Sequence, residues 1–229
     1  MTSDGLHSFF VTGTDTGVGK TRIACALLHA FTGRGMRAVG MKPVAAGAMP
    51  GPDGLVNEDV QALAAASSVQ VPQRLANPYC FEPPIAPHIA AAQAGVEIEL
   101  AHITCCFEAL AARADCVVVE GVGGFHVPLG RNIDTARLAC ELRLPMVLVV
   151  GMRLGCLNHA LLTAEAIVNS GLRLAGWVAN HIDPQMAYPD ENVMALCERL
   201  SAPILARIPY DTRDDAARLV PLMSIDALR

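Results

Sequence analysis

Residues 13–21 read Gly13-Thr14-Asp15-Thr16-Gly17-Val18-Gly19-Lys20-Thr21, between the apolar segment Phe9-Phe10-Val11 and a helical pattern. This is the pattern of a phosphate-binding loop in the place where such a loop works, with a strand before it and a helix after it. Glycines let backbone N–H groups turn inward and ring an anion. Lys20 offers a charge for the β and γ phosphates, and Thr21 a hydroxyl for Mg²⁺. The helix that starts here points its positive end at the same phosphates. The first glycine falls one residue earlier than in the common G-x-x-x-x-G-K-[ST] spacing, and Thr14 stands in its usual place.

On either side of this loop, short apolar runs alternate with helical patterns. Strands are predicted over Ser8–Thr12, Ala38–Lys42, Cys116–Glu120, Pro145–Val150, Ala175–Ala179 and Ile204–Ile208. Helices are predicted over Lys20–Thr32, Glu58–Ala66, Leu100–Arg113, Thr135–Leu142, Asn158–Asn169 and Glu191–Leu200, with Gly33, Gly35 and Gly171 at C-cap positions. The alternation implies an α/β protein: a three-layer, P-loop NTPase-like fold with a mostly parallel sheet, helices on both faces and right-handed crossovers. Met49–Gly54 reads as a turn-rich loop, and the loop Asn77–Pro87 carries four prolines. No repeat, low-complexity tract or linker interrupts the pattern, so residues 1–229 are expected to form one domain.

Composition narrows the function. The chain is 52% hydrophobic and 17% charged over 229 residues, enough for a buried core. A net charge of −5 leaves no basic footprint for nucleic acid. The N-terminus Met1-Thr2-Ser3-Asp4-Gly5 has no basic region, and the longest apolar run, Leu144–Met152, is far short of the ~20 residues that span a bilayer. A cytoplasmic location away from membranes is expected. The eight cysteines form no C-x-x-C pair, and several lie in apolar patterns as small hydrophobes, so reduced thiols are expected.

Residues able to carry chemistry fall at predicted strand ends, where parallel α/β sheets bind ligands. Lys42 closes one strand before Pro43-Val44-Ala45-Ala46-Gly47, as a cation aimed into a cleft or as an ordinary surface lysine. Glu120 closes Val117-Val118-Val119 and precedes Gly121-Val122-Gly123-Gly124; a carboxylate there can hold Mg²⁺ directly or through water. Asp59, early in a helix, is accounted for by spacing alone as a helix-terminal acid. Asn180 is either a turn residue or an amide that reads an adenine edge. Pro209-Tyr210 could wall a base pocket or form a plain strand exit. Gly155-Cys156-Leu157-Asn158-His159 opens a helix whose free N–H groups could receive a carboxylate. His159 reads as structural, and His88 and His126 receive no role.

Taken together, these blocks resemble the dethiobiotin synthetase family over nearly the whole chain. The resemblance is carried by Val11–Thr21, Lys42–Gly47, Asn77–Tyr79, Ala86–His88, Val119–Gly124, Leu154–Ala160, Gly176–Asn180 and Ile208–Tyr210. It implies an ATP- and Mg²⁺-dependent cyclo-ligase that joins CO₂ to 7,8-diaminononanoate. A carbamate attacks the γ-phosphate, and a carbamic–phosphoric anhydride closes to dethiobiotin with release of ADP and phosphate. By the same resemblance Lys20 and Lys42 are catalytic, and Thr21, Asp59 and Glu120 are the magnesium positions. Nucleotide contacts fall on Gly17, Val18, Gly19, Lys20, Thr21, Arg22, Asp59, Glu120, Gly121, Val122, Gly123, Asn180, His181, Pro209, Tyr210 and Asp211. Substrate contacts fall on Thr16, Lys42, Ala46, Gly155, Leu157 and Asn158. The last three serve a partner subunit, because the family is a homodimer with its substrate site between subunits.

One position departs from the resemblance: Ala46 stands where many members have a serine against the substrate. Its absence implies weaker substrate positioning or an altered diamine preference. The competing reading is a dimeric switch ATPase of the partition and septum-site type, but those proteins carry an extra lysine early in the loop, where this chain has Thr14 and Asp15. A corrinoid-type amide ligase shares the fold, but commonly carries an appended glutaminase-like domain for which this length leaves no room.

Overall fold

The computed structural model describes residues 7–52, 54–211 and 215–228. Residues 1–5, read above for a leader, and Asp53 of the Met49–Gly54 turn lie outside the described residues. In chain order the elements are β1 (Phe9–Gly13), α1 (Lys20–Thr32), β2 (Ala38–Met41), β3 (Val44–Ala46), β4 (Met49–Gly51), β5 (Gly54–Val56), α2 (Glu58–Ala66), α3 (Gln73–Ala76), β6 (Tyr79–Phe81), α4 (Pro87–Gln93), α5 (Leu100–Ala111), β7 (Cys116–Glu120), α6 (Thr135–Leu142), β8 (Met146–Met152), α7 (Cys156–Asn169), β9 (Leu174–His181), α8 (Pro189–Arg199) and β10 (Ile204–Ile208). Two 3-10 segments, Ala216–Leu222 and Ile225–Ala227, come after β10.

The central sheet has the order β10-β9-β8-β1-β7-β2, and every pairing is parallel. Its middle strands are buried on both faces, which is why β7 (CVVVE) and β8 (MVLVVGM) are unbroken apolar runs and not alternating ones. Successive side chains feed opposite layers. Val11, Val118, Val147 and Val149 pack under α1 with Ile23, Leu27 and Leu28, while Phe10, Val117 and Val119 pack with Ile103, Phe107 and Leu110 of α5. Toward the β9 side, Leu148, Val150 and Trp177 pack against α7 and α8. The three layers expected from the alternation are therefore present.

Several boundaries differ from the sequence reading. The β2 strand stops at Met41 because the Lys42 N–H turns away to the Ala76 carbonyl (2.8 Å). At the other side of the sheet, β8 and β9 run on together to the Met152–His181 pair, past the expected Val150 and Ala179. The helix expected from Asn158 begins at Cys156, after Gly155 takes a left-handed conformation (φ 93°). The two stretches expected as loops are partly strand: Met49–Gly51 pairs antiparallel with Gly54–Val56, and Tyr79–Phe81 pairs parallel with Val44–Ala46.

The edges of the sheet are occupied. At β2 the Ser68 hydroxyl accepts from Ala38 N–H (2.8 Å) and the Ser67 hydroxyl from Gly40 N–H (2.9 Å). At β10 the Leu205 carbonyl accepts from Ser224 N–H (2.7 Å).

Candidate functional site

The phosphate loop leaves the end of β1 and enters α1 through Gly19, whose φ of 88° suits glycine. Any side chain at Gly19 would also collide with the Asn180 amide. The first part of the loop is stitched to β8. Thr14 N–H donates to the Val149 carbonyl (3.0 Å), and the Thr14 hydroxyl accepts from Gly151 N–H (3.3 Å). Thr14 thus has a task of its own at the position where the common spacing has glycine. Asp15 accepts Thr16 N–H at Oδ1 (2.7 Å) and pairs through Oδ2 with Arg153 (2.5 Å).

Over the loop lies a cleft of about 700 Å³. Among its lining residues are Thr16, Gly17, Gly19, Lys20, Thr21, Lys42, Ala46, Asp59, Glu120, Val122 and Gly123, brought together from four separate chain segments. Its far wall is Pro84–Pro87 with Val127, which the sequence reading assigned no place in the site.

The floor of the cleft is a charge cluster. Lys42 Nζ donates to Glu120 Oε1 (2.6 Å), to Asp59 Oδ2 (2.9 Å) and to the Gly121 carbonyl (3.4 Å). The Thr21 hydroxyl lies 2.7 Å from Asp59 Oδ1 and 2.9 Å from Glu120 Oε1. Burial by itself would depress the Lys42 ammonium, but Glu120 and Asp59 outweigh it and hold its pKa above the ordinary lysine value. Burial likewise works against the Asp59 carboxylate, yet Lys42, Thr21 and Lys20 draw its pKa below the ordinary value. Lys20 is different: burial, and then the charge of Lys42, lower it to about 8. Its ammonium rests on the Asp15 carbonyl (3.0 Å), a neutral acceptor that a phosphate would outcompete.

Asp59 lies in the first turn of α2, as its spacing suggests, but does not cap it. Asn57 caps α2, accepting from Asp59 N–H (3.1 Å) and Val60 N–H (3.3 Å), and this leaves the Asp59 carboxylate free to face the cleft. Lys42 is held from behind by Asn77, a buried residue that the sequence reading quoted but gave no role. Its Nδ2 donates to the Lys42 carbonyl (2.7 Å) and the Tyr79 carbonyl (3.0 Å). Glu120 Oε2 is buried and has no hydrogen-bond partner. Among the described residues no group of three or more His, Cys, Asp or Glu side chains could enclose a metal by itself. A hydroxyl beside two carboxylates, one with an unpaired buried oxygen, suits a hard cation that keeps water and phosphate in its remaining positions.

The other expected nucleotide contacts lie outside the lining of this cleft, and of them Asn180 reaches the loop from β9. Val18 is buried beneath the loop, and its carbonyl accepts from Asn180 Nδ2 (2.8 Å), leaving buried Asn180 Oδ1 unpartnered. Asn180 stands opposite Ile208 in the β9–β10 pairing, so Pro209 and the exposed Tyr210 come next beside it and His181 is next in β9. Arg22 reaches Asp211, 3.9 Å between Nη2 and Oδ2. Gly155, Leu157 and Asn158 do not line the cleft of their own chain; Gly155 and Asn158 are exposed at the start of α7, and Leu154 beside them is 95% exposed. No two of the eight cysteines are joined in a disulfide. No helix among the described residues is long and apolar enough to cross a membrane.

Comparison with known proteins identifies the family and the fold. The AAA domain family matches residues 7–218. The chain is 57% identical over 213 residues to the ATP-dependent dethiobiotin synthetase BioD of Aromatoleum aromaticum, covering 93% of this chain and 95% of that one. It is 55% identical to the protein of the same name from Nitrosospira multiformis, covering 95% and 94%. Among solved structures, the septum-site protein MinD of Pyrococcus horikoshii complexed with Mg-ADP superposes with a TM-score of 0.53 at 14% identity, covering 96% of this chain and 88% of that one. The Aquifex aeolicus MinC:MinD complex gives 0.56 at 15% identity, covering 93% and 86%. Likeness at that identity speaks for the P-loop NTPase fold alone. Relatedness across nearly the full length of both chains goes further: the chain belongs to the ATP-dependent dethiobiotin synthetase family, ATP-using ligases of biotin synthesis.

Proposed function

We propose that the cleft converts 7,8-diaminononanoate, CO₂ and ATP to dethiobiotin, ADP and phosphate. The observation that carries this reading is the Lys42 ammonium, buried and charged on the cleft floor opposite the phosphate loop. One amine of the substrate takes up CO₂ and loses a proton, giving a carbamate. A carbamate oxygen attacks the γ-phosphorus and ADP departs, leaving a carbamic–phosphoric anhydride. The second amine then attacks the carbonyl carbon and expels phosphate, closing the ureido ring.

Both reacting partners are anions, so the site's main task is to bring negative charges together, which preorganised cations do well. Lys20 and the loop amides hold the phosphates. Lys42 faces the carbamate and the transferring phosphoryl group, stabilising charge without giving up its proton. Gly121, Val122 and Gly123 keep the backbone close to the nucleotide. Asn180 Oδ1 accepts from the adenine amino group, a reading its lack of any partner within the chain supports, with Pro209 and Tyr210 beside the base and His181, Arg22 and Asp211 around it. Thr21, Asp59 and Glu120 would hold Mg²⁺, which supplies charge neutralisation for the β- and γ-phosphate oxygens.

Thr16, Lys42 and Ala46 contact the diamine within one chain, while Gly155, Leu157 and Asn158 receive its carboxylate from a partner chain. The exposure of Gly155 and Asn158, outside the lining of their own cleft and beside the bare Leu154, supports a homodimer with a shared site. A protein acting in this way in the cytoplasm needs neither nucleic acid nor a membrane.

The deciding assay is phosphate release from ATP. It should require both the diamine and bicarbonate. Vigorous hydrolysis without them, or hydrolysis set by a protein partner, would favour a switch ATPase instead. Mixing a Lys42 variant with an Asn158 variant should restore activity above either parent through hybrid dimers; no recovery would count against the shared site.

A further inference from the structure

Asp15 joins the phosphate loop of one site to the start of α7, which in the proposed dimer serves the partner's site. On one side its carbonyl accepts the Lys20 ammonium (3.0 Å). On the other its carboxylate pairs with Arg153 (2.5 Å) while also accepting Thr16 N–H (2.7 Å). The Arg153 carbonyl in turn accepts Cys156 N–H (3.0 Å), closing the turn that opens α7. A continuous chain of contacts therefore runs from Lys20 through Asp15 and Arg153 to the α7 N-terminus. Thr14, just upstream, is fixed to β8 through Val149 and Gly151, so displacement of the loop is borne by Asp15, Thr16 and Gly17.

We propose that Arg153 is a positioning residue. Through Asp15 it couples occupancy of the phosphate loop to the geometry of the α7 N-terminus, so that nucleotide in one subunit tightens binding there of the carboxylate of the diamine seated in the partner's cleft. This rests on the proposed carboxylate role of Gly155, Leu157 and Asn158. When phosphates draw the Lys20 ammonium away from the Asp15 carbonyl, that peptide loses its partner and can reorient. The Asp15 side chain, tied at Thr16 N–H and at Arg153, carries the change to the turn at Arg153–Cys156. The pair is not a stability device: its two side chains are 43% and 45% exposed, and ion pairs so exposed add little to folding.

The test is the dissociation constant of 7,8-diaminononanoate, measured calorimetrically with and without saturating Mg²⁺ and the β,γ-methylene analogue of ATP. In the unaltered protein the analogue should tighten diamine binding about 5-fold or more. In Arg153→Ala the tightening should fall below about 2-fold, in Asp15→Asn it should fall likewise, and Arg153→Lys should restore most of it. Melting temperatures of these variants should match that of the unaltered protein. Full tightening in Arg153→Ala, or none in the unaltered protein, would overturn the link. Asn158→Ala separates this from the reading beneath it. If that variant binds diamine normally, the carboxylate assignment has failed and the inference with it. If it binds weakly while Arg153→Ala still couples, only the link has failed.

Discussion

Lys42 Nζ and Glu120 Oε1 lie 2.6 Å apart, with side chains only 4% and 1% exposed. Breaking such a buried pair strands a charge, at about 3 kcal/mol. Lys42→Met should therefore lower unfolding free energy by roughly that amount and abolish dethiobiotin formation, with the protein still folded and still binding nucleotide. Adding Glu120→Gln to it should recover stability but not turnover. Denaturant unfolding and a product assay check the two halves separately, and turnover in Lys42→Met would overturn the catalytic assignment.

Asn77 tests the support behind Lys42. Asn77→Ala removes the donor from two backbone carbonyls, those of Lys42 and Tyr79. Leaving buried carbonyls unpaired costs about 1–3 kcal/mol. Because the lysine backbone then loosens while the phosphate loop is untouched, kcat should fall well before the affinity for ATP does. Steady-state kinetics with each substrate varied reads this; an equal loss in ATP affinity would point to general unfolding of the site.

Ala46 lines the cleft, and its carbonyl is held by Asn57 Nδ2 (3.2 Å). Ala46→Ser adds a hydroxyl that can reach the diamine or its carbamate. A hydrogen bond of ~1 kcal/mol should lower KM for 7,8-diaminononanoate by roughly 5-fold with little change in kcat. An unchanged KM would show that the position does not touch substrate.

Cys116 offers a measurement away from the cleft. Burial in β7, assisted by the charge of Asp115, pushes its thiol up to about 12 from an ordinary 9.0. Above pH 9 the unfolded chain gives up this proton while the folded chain keeps it, so folding stability declines as pH rises toward 12. Between about pH 9 and 10 the native protein should lose roughly 1 kcal/mol more stability than Cys116→Ala. At neutral pH the thiol should resist alkylation until the protein is unfolded.

Where local signals were complete, sequence and structure coincide to the residue: α1, α2 and α6, and the strands Cys116–Glu120 and Ile204–Ile208. An apolar run ending in a charged residue, as in Cys116–Glu120, or a helix with a capping residue, as in α2 and α6, needs no knowledge of distant chain. The Val44–Ala46 and Tyr79–Phe81 pair shows the limit. Three residues cannot display a period, and each strand exists only because the other lies beside it. In the site, Lys20, Thr21, Lys42 and Glu120 stand at strand and loop ends that pattern alone locates. Asp59 was obscured because Asn57, two residues earlier, is an equally good cap, and only the backbone geometry decides between them. The Asp15–Arg153 contact joins residues with no shared periodicity or motif, so folding alone brings it into view.

The serine hydroxyls along β2 and the Ser224 amide against β10 have a consequence for assembly. An open sheet edge is a template onto which another chain can add a strand, the usual route to runaway aggregation. Here the polar groups at Ala38, Gly40 and Leu205 are already committed within the chain. Two copies meeting to share a site would therefore have to recognise each other through side chains and helix ends, where fit selects one partner, and not by backbone ladders that would accept any.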